Sequence, residues 1–139
     1  MIKAVADTNV LLAAFLSPNP ASPNKEVLAA WQKGDWMWQH SGDTLAEYVE
    51  KLQHFGVDEN LIRLFVKDLL LLGEEVEVSF FHLPNYPEDP DDIAFLLCAL
   101  NGDSTFLISY DEHLLSLAPH YPQLGIVQPR QFLTAIRDF

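Results

Sequence analysis

Ile2-Lys3-Ala4-Val5-Ala6-Asp7-Thr8-Asn9-Val10 opens the chain with five strand-like residues that run straight into a carboxylate. Residues 2–6 read as a buried strand, and residues 8–15, through Leu11-Leu12-Ala13-Ala14-Phe15, as a short helix. Asp7 sits at the joint. An Asp there accepts the free N–H groups of a first helical turn, so capping alone accounts for one such residue. In an open parallel sheet, ligands bind beyond the carboxyl ends of the strands. Asp7 occupies that edge too.

Working outward, the same alternation recurs. Ser22-Pro23 has the cap and first-turn signature of a helix that runs to Lys33 and stops at Gly34. Trp36-Met37-Trp38-Gln39 is a short aromatic strand. Ser41 caps a helix with apolar positions Leu45, Val49, Leu52 and Phe55, ended by Gly56. Asp58 to Leu72 is a further helix. Glu75 to Phe80 alternates like a strand with one solvated face. Asp89-Pro90 opens a helix ending near Asn101-Gly102, and 105–109 is a continuous apolar strand stopped by Asp111. His113 to Ala118 is a short helix, 125–127 a last strand, and Pro129 begins the terminal helix. Strands alternating with helices predict a three-layer α/β/α fold with a parallel sheet of four to five strands.

The acids have individual explanations. Glu47 has Lys51 four residues on, an ordinary helical ion pair. Asp89, Pro90 and Asp92 make a good first turn. Asp111 is placed to cap, and His113 reads as a solvated first-turn residue or a ligand. Together they are more informative. Asp7 and Asp111 end two apolar strands, Asp92 begins the helix that feeds the second, and Glu47 lies on a neighbouring helix. Carboxylates gathered at one sheet edge cannot all stay ionised without a counter-charge. Oxygen-only ligands suit Mg²⁺ or Mn²⁺. Thr8, Asn9 and Ser109 are short polar neighbours suited to orienting ligands or water.

Composition sets limits. A chain of 139 residues fits one domain, 1–139, and buries roughly 68% of its unfolded surface without a staple. The single cysteine, Cys98, builds neither a disulfide nor a cysteine zinc site and reads as a buried thiol. No secretory leader and no apolar run of membrane-spanning length is evident, so a cytoplasmic protein away from membranes is expected. The net charge of −12 opposes loose binding of nucleic acid through many phosphate contacts. Such a chain ignores nucleic acid, engages it through a metal and a few local bases, or uses a basic partner.

Four stretches resemble the PIN-domain nucleases, in the branch of toxin components of toxin–antitoxin systems. They are Val5 to Leu11, Thr44 to Leu52, Asp89 to Leu100 and Phe106 to Asp111; residues 125–133 resemble the family's closing strand and helix. The resemblance implies that Asp7, Glu47, Asp92 and Asp111 are the catalytic, metal-holding quartet. Asp89, Thr8 or Asn9, and Ser109 are then accessory. It implies Mg²⁺- or Mn²⁺-dependent cleavage of RNA, an antitoxin partner and a homodimer. Three residues depart from the pattern. Tyr110 stands where Gly is common, His113 where a further Asp is common, and Glu88 where a base is frequent.

Other readings are weaker. A phosphotransferase that starts with Asp after strand one needs a second Asp two residues on, where this chain has Asn9. Glycine-rich dinucleotide and P-loop motifs are absent. The serious alternative is a non-catalytic PIN-like interaction module. The acidic charge favours it, as do Trp31, Trp36 and Trp38 if they are exposed, although aromatics of this size more often pack in cores.

Overall fold

The computed structural model describes residues 1–139. Its elements follow in the order β1 (Lys3–Ala6), α1 (Thr8–Leu16), α2 (Pro23–Gln32), β2 (Met37–His40), α3 (Gly42–His54), α4 (Glu59–Leu72) and β3 (Glu74–Glu75). A 3₁₀ turn (Pro90–Asp92) then leads into α5 (Ile93–Asn101), β4 (Phe106–Ile108), α6 (Glu112–Leu115), β5 (Gly125–Val127) and α7 (Pro129–Arg137). The five strands are all parallel, in the order β3-β2-β1-β4-β5. Ala4, Val5 and Ala6 of the central strand are fully buried although alternate residues point to opposite faces. Both faces are therefore covered, as a three-layer parallel sheet requires.

The strand order fixes where a site can form. The chain leaves β1 toward β2 on one side and returns through α5 to β4 on the other. The switch point falls between β1 and β4, whose partners include Ala6 and Ile108. Asp7 follows the first of these strands and Asp111 lies just beyond the second. A crevice at that edge is the general location for ligands in such sheets.

An aromatic cluster supports this edge from below. Trp31, Trp36, Trp38, Tyr48 and Phe95 are all buried. Trp36 stacks on Trp38 at 5.4 Å, and Trp38 meets Phe65 and Tyr48 at 5.4 and 5.8 Å. The indole of Trp36 donates to the Val27 carbonyl and that of Trp38 to the Tyr48 hydroxyl. Tyr48 in turn donates to the Ala6 carbonyl, which ties α3 to the last residue of β1. None of the three tryptophans is a surface residue, so the core reading of them holds. Cys98 is buried as expected, and burial pushes its thiol up to about 12.

One strand is shorter than its pattern. The alternation over 75–80 predicts a six-residue strand, but the ladder holds only Glu74 and Glu75, plus one bond from Val76 N–H to the His40 carbonyl at 2.7 Å. Its partner β2 ends at His40 because Ser41 caps α3. Beyond that point no strand remains to pair with. The N–H groups of Ser79 and Phe80 donate instead to the Asn101 side chain at 2.9 and 3.1 Å. Similarly, the opening turn at Asp89 is 3₁₀ before α5 begins at Ile93.

Candidate metal centre

Asp7 has extended backbone as the N-cap of α1, and its two carboxylate oxygens are held separately. One accepts the Thr8 N–H at 2.7 Å; the other accepts the Ser109 hydroxyl at 2.7 Å. The same Ser109 oxygen accepts the Asp111 N–H at 2.9 Å. One hydroxyl thus joins the ends of β1 and β4 and sets the positions of two acids. Asp111 caps α6 by accepting the His113 N–H at 2.9 Å through Oδ1. Asp92 ends the 3₁₀ turn, 4% exposed, with Oδ2 buried and without a hydrogen-bond partner.

Carboxylate oxygens of Asp7, Asp92 and Asp111 lie within 4.8 Å of one another. They open onto a cleft of about 220 Å³ whose walls also include Glu47, Asp89 and Asp91. Glu47 shares the cleft but stands outside the close trio. Lys51 and Glu47 form no ion pair within 4.0 Å, although the lysine charge favours the ionised glutamate. Asp89 caps the 3₁₀ turn by accepting the Asp91 N–H at 3.0 Å. Thr8 and Asn9 line the cleft, and Thr8 Oγ1 and Asn9 Oδ1 are buried without partners.

The electrostatics follow from that crowding. Burial, followed by the neighbouring Asp111 and Asp7, pushes the Asp92 carboxyl up to about 8. Burial also raises Asp7 to about 6, against the opposing hydrogen bonds from Ser109 and Thr8. Burial raises Glu47 as well, partly countered by Lys51. Isolated carboxylates behave this way when charge is forced into low dielectric with no counter-charge.

A divalent cation fits this donor set. The donors are all oxygens, which suits Mg²⁺ or Mn²⁺. Three of the five unpartnered buried side-chain atoms in the molecule, on Thr8, Asn9 and Asp92, belong to residues of this one cleft. Buried polar groups are ordinarily satisfied, so their concentration here marks a place built for something to bind.

The residues that depart from the family pattern have structural explanations. His113 Nδ1 pairs with Glu88 Oε2 at 3.1 Å. Two of the departures therefore satisfy each other at the rim, and His113 is outside the trio. Tyr110 is 37% exposed and does not line the cleft. Three further neighbours of the centre were not among the site residues expected from the sequence, where Lys51 reads as an ion-pair partner of Glu47 and Phe55 as an apolar helix position. Tyr48 fixes α3 against β1, and Lys51 and Phe55 form part of the cleft wall. The i,i+4 spacing of Glu47, Lys51 and Phe55 on one helix was the available signal.

A parallel sheet in this order, with acids gathered at the carboxyl ends of its two switch-point strands, defines the class of PIN-like α/β folds. The PIN domain family matches residues 3–113, and the chain belongs to that family. The fold is also that of the crystal structure of VapBC2 from Rickettsia felis bound to a DNA fragment from their promoter. That match has a TM-score of 0.59 at 12% identity, covering 90% of this chain and 97% of that one. The T. brucei RRP44 PIN domain is similar at a TM-score of 0.52 and 13% identity, covering 96% of this chain and 80% of that one. No curated protein sequence matches the chain. No helix is long and apolar enough to cross a membrane.

Proposed function

We propose that this PIN-domain protein is a metal-dependent endoribonuclease. Asp7, Asp92 and Asp111 would hold Mg²⁺ or Mn²⁺, with Glu47 contributing directly or through water. The observation that carries this reading is the convergence of three carboxylates, one of which, Asp92, keeps a buried Oδ2 without a partner. When bound, the cation supplies neutralising charge at a phosphodiester and a more acidic water. The protein's own part is positioning. Ser109 fixes Asp7 with its proton and Asp111 with its lone pair, and Thr8 N–H and His113 N–H restrain the remaining freedom of those two carboxylates. Asp89 holds the turn that presents Asp92. Thr8 Oγ1 and Asn9 Oδ1 are free to accept from ordered water.

The toxin role rests on the sequence resemblance and carries with it a cytoplasmic setting, an antitoxin partner and a dimer. The shared fold with VapBC2 is consistent with a protein partner. So is a groove of about 590 Å³ between α3 and α4, walled by Val49, Ile62, Val66, Leu70 and Leu71. The same groove, with the net charge of −12, favours the second reading, a non-catalytic interaction module. Mn²⁺ titration with an RNA cleavage readout separates the two, comparing the chain with Asp7→Asn. Metal-dependent cutting that the substitution abolishes supports the nuclease. Binding without turnover, or equal activity in both proteins, overturns it.

A further inference from the structure

The cleft poses an electrostatic problem for any polyanionic substrate. Six acids line it, Asp7, Glu47, Asp89, Asp91, Asp92 and Asp111, against one base, Lys51. A trio-bound cation offsets part of that charge at the reacting phosphate only. Something else must hold the adjoining strand. Lys51 on α3 and Phe55, its C-cap, stand one and two turns beyond Glu47, about 6 and 12 Å along the helix axis. Lys51 is partly buried and forms no ion pair within 4.0 Å. Phe55 is 53% exposed and outside the hydrophobic core. Its ring is braced edge-on by His54 at 5.1 Å. A single exposed aromatic is unremarkable by itself. Here it shares a cleft wall with the one available cation.

We propose that Lys51 and Phe55 form a nucleotide subsite for single-stranded RNA next to the acidic centre. The Lys51 ammonium takes a phosphate flanking the reacting one, and the Phe55 ring stacks on an adjacent base. The stacking step selects single strands, because a base must leave its own stack to meet the ring, and A-form duplexes keep their bases stacked. It carries little sequence preference, since every base offers a π-face. Lys51 and Phe55 are thus positioning residues, and the inference rests on the nuclease reading.

The test is steady-state cleavage of a short labelled single-stranded RNA in Mn²⁺. It compares the natural chain with Phe55→Leu, Phe55→Trp and Lys51→Ala, and repeats the natural chain on the same RNA annealed to its complement. Leucine keeps an apolar side chain at a half-exposed position and removes only the ring, so folding is not at issue. Phe55→Leu raises KM about tenfold, the scale of one lost base–aromatic stack, with the effect in KM rather than kcat. Phe55→Trp keeps KM near the natural value. Lys51→Ala raises KM and lowers the slope of log KM against log salt by about 0.7, one single-strand phosphate contact. The duplex is cut poorly. Unchanged KM in Phe55→Leu and Lys51→Ala, or equal cutting of duplex, overturns the subsite while leaving the nuclease standing. No metal-dependent cleavage by the natural chain overturns both.

Discussion

Two polar clusters lie on the same sheet, and they are built on opposite principles. Beside Glu74 at the start of β3 and the 102–104 turn before β4, Gln39 of β2 is fully buried and fully partnered. Its amide donates to Glu74 at 2.8 Å and to the Gly102 carbonyl at 2.9 Å, and its oxygen accepts the Ser104 hydroxyl. Lys3 completes the set by donating to Glu74 at 3.2 Å. Gly102 is required there, because a Cβ would lie 2.9 Å from the Gln39 amide nitrogen. At the edge where the strands end, Asp7, Asp92 and Asp111 crowd together, Asp92 keeps an unpartnered oxygen, and two carboxyls are raised. A satisfied network ties strands together. An unsatisfied one made only of acceptors is the kind of site a cation would satisfy.

Substitutions in the two clusters should therefore separate activity from stability. The largest effect is expected from Asp111→Asn. RNA cleavage in Mn²⁺ falls about a thousandfold, the scale of losing one preorganised charge-handling group, while the urea midpoint changes little. An Asp111→Asn protein that cleaves normally breaks the contrast.

The pH dependence of stability gives the next effect. Asp7 is raised from 3.8 to about 6 in the folded protein. For a carboxyl raised on folding, the native state holds the proton more tightly than the unfolded chain. Stability is then complete below about pH 4 and falls as pH rises through 6, by about 3 kcal/mol for this group. Asp92, raised to about 8, extends the decline upward. In EDTA, urea unfolding should show lower stability at pH 8 than at pH 5. Added Mn²⁺ should restore more at pH 8, because it replaces the protons. Stability independent of pH across this window would count against the crowding.

In the other cluster, Gln39→Leu leaves Ser104 and the Gly102 carbonyl without the partner Gln39 gave them, and Glu74 with Lys3 alone. It should cost about 2 kcal/mol in urea unfolding, with cleavage by the folded fraction unchanged. Smallest is Lys3→Met. Its ion pair with Glu74 is 44% and 40% exposed on the two side chains, so less than about 1 kcal/mol is expected, and less again in high salt.

Much of this was legible in the sequence where the signals are local. The apolar run 2–6 ends at Asp7 and the run 105–109 just before Asp111, while Ser22, Ser41, Asp58 and Asp89 cap the turns their types predict. The parallel three-layer fold follows from that alternation. The convergence of Asp7, Asp92 and Asp111 also followed, because strand ends and helix starts share an edge. What stayed hidden depends on pairings distant in sequence. The length of β3 is set by where β2 stops, which no residue in 75–80 encodes. The bridging role of Ser109 needs Asp7, 102 residues away. Gln39 looks like one polar residue in an aromatic strand until Glu74, Gly102 and Ser104 are brought around it. Likewise, the sequence leaves open whether Glu47 joins the other acids directly or through water; in the fold it faces the same cleft from outside the close trio.

Burial and crowding make the carboxylate edge costly to ionise, a cost that a bound cation would offset. Asp92→Asn tests it directly, through thermal unfolding at pH 8 in EDTA and then in Mn²⁺. The amide removes a buried charge and can donate to its acidic neighbours. The account predicts a higher Tm than the natural chain in EDTA, and loss of most of the Tm increase that Mn²⁺ gives the natural chain. A lower Tm in EDTA, with the Mn²⁺ increase intact, would contradict it.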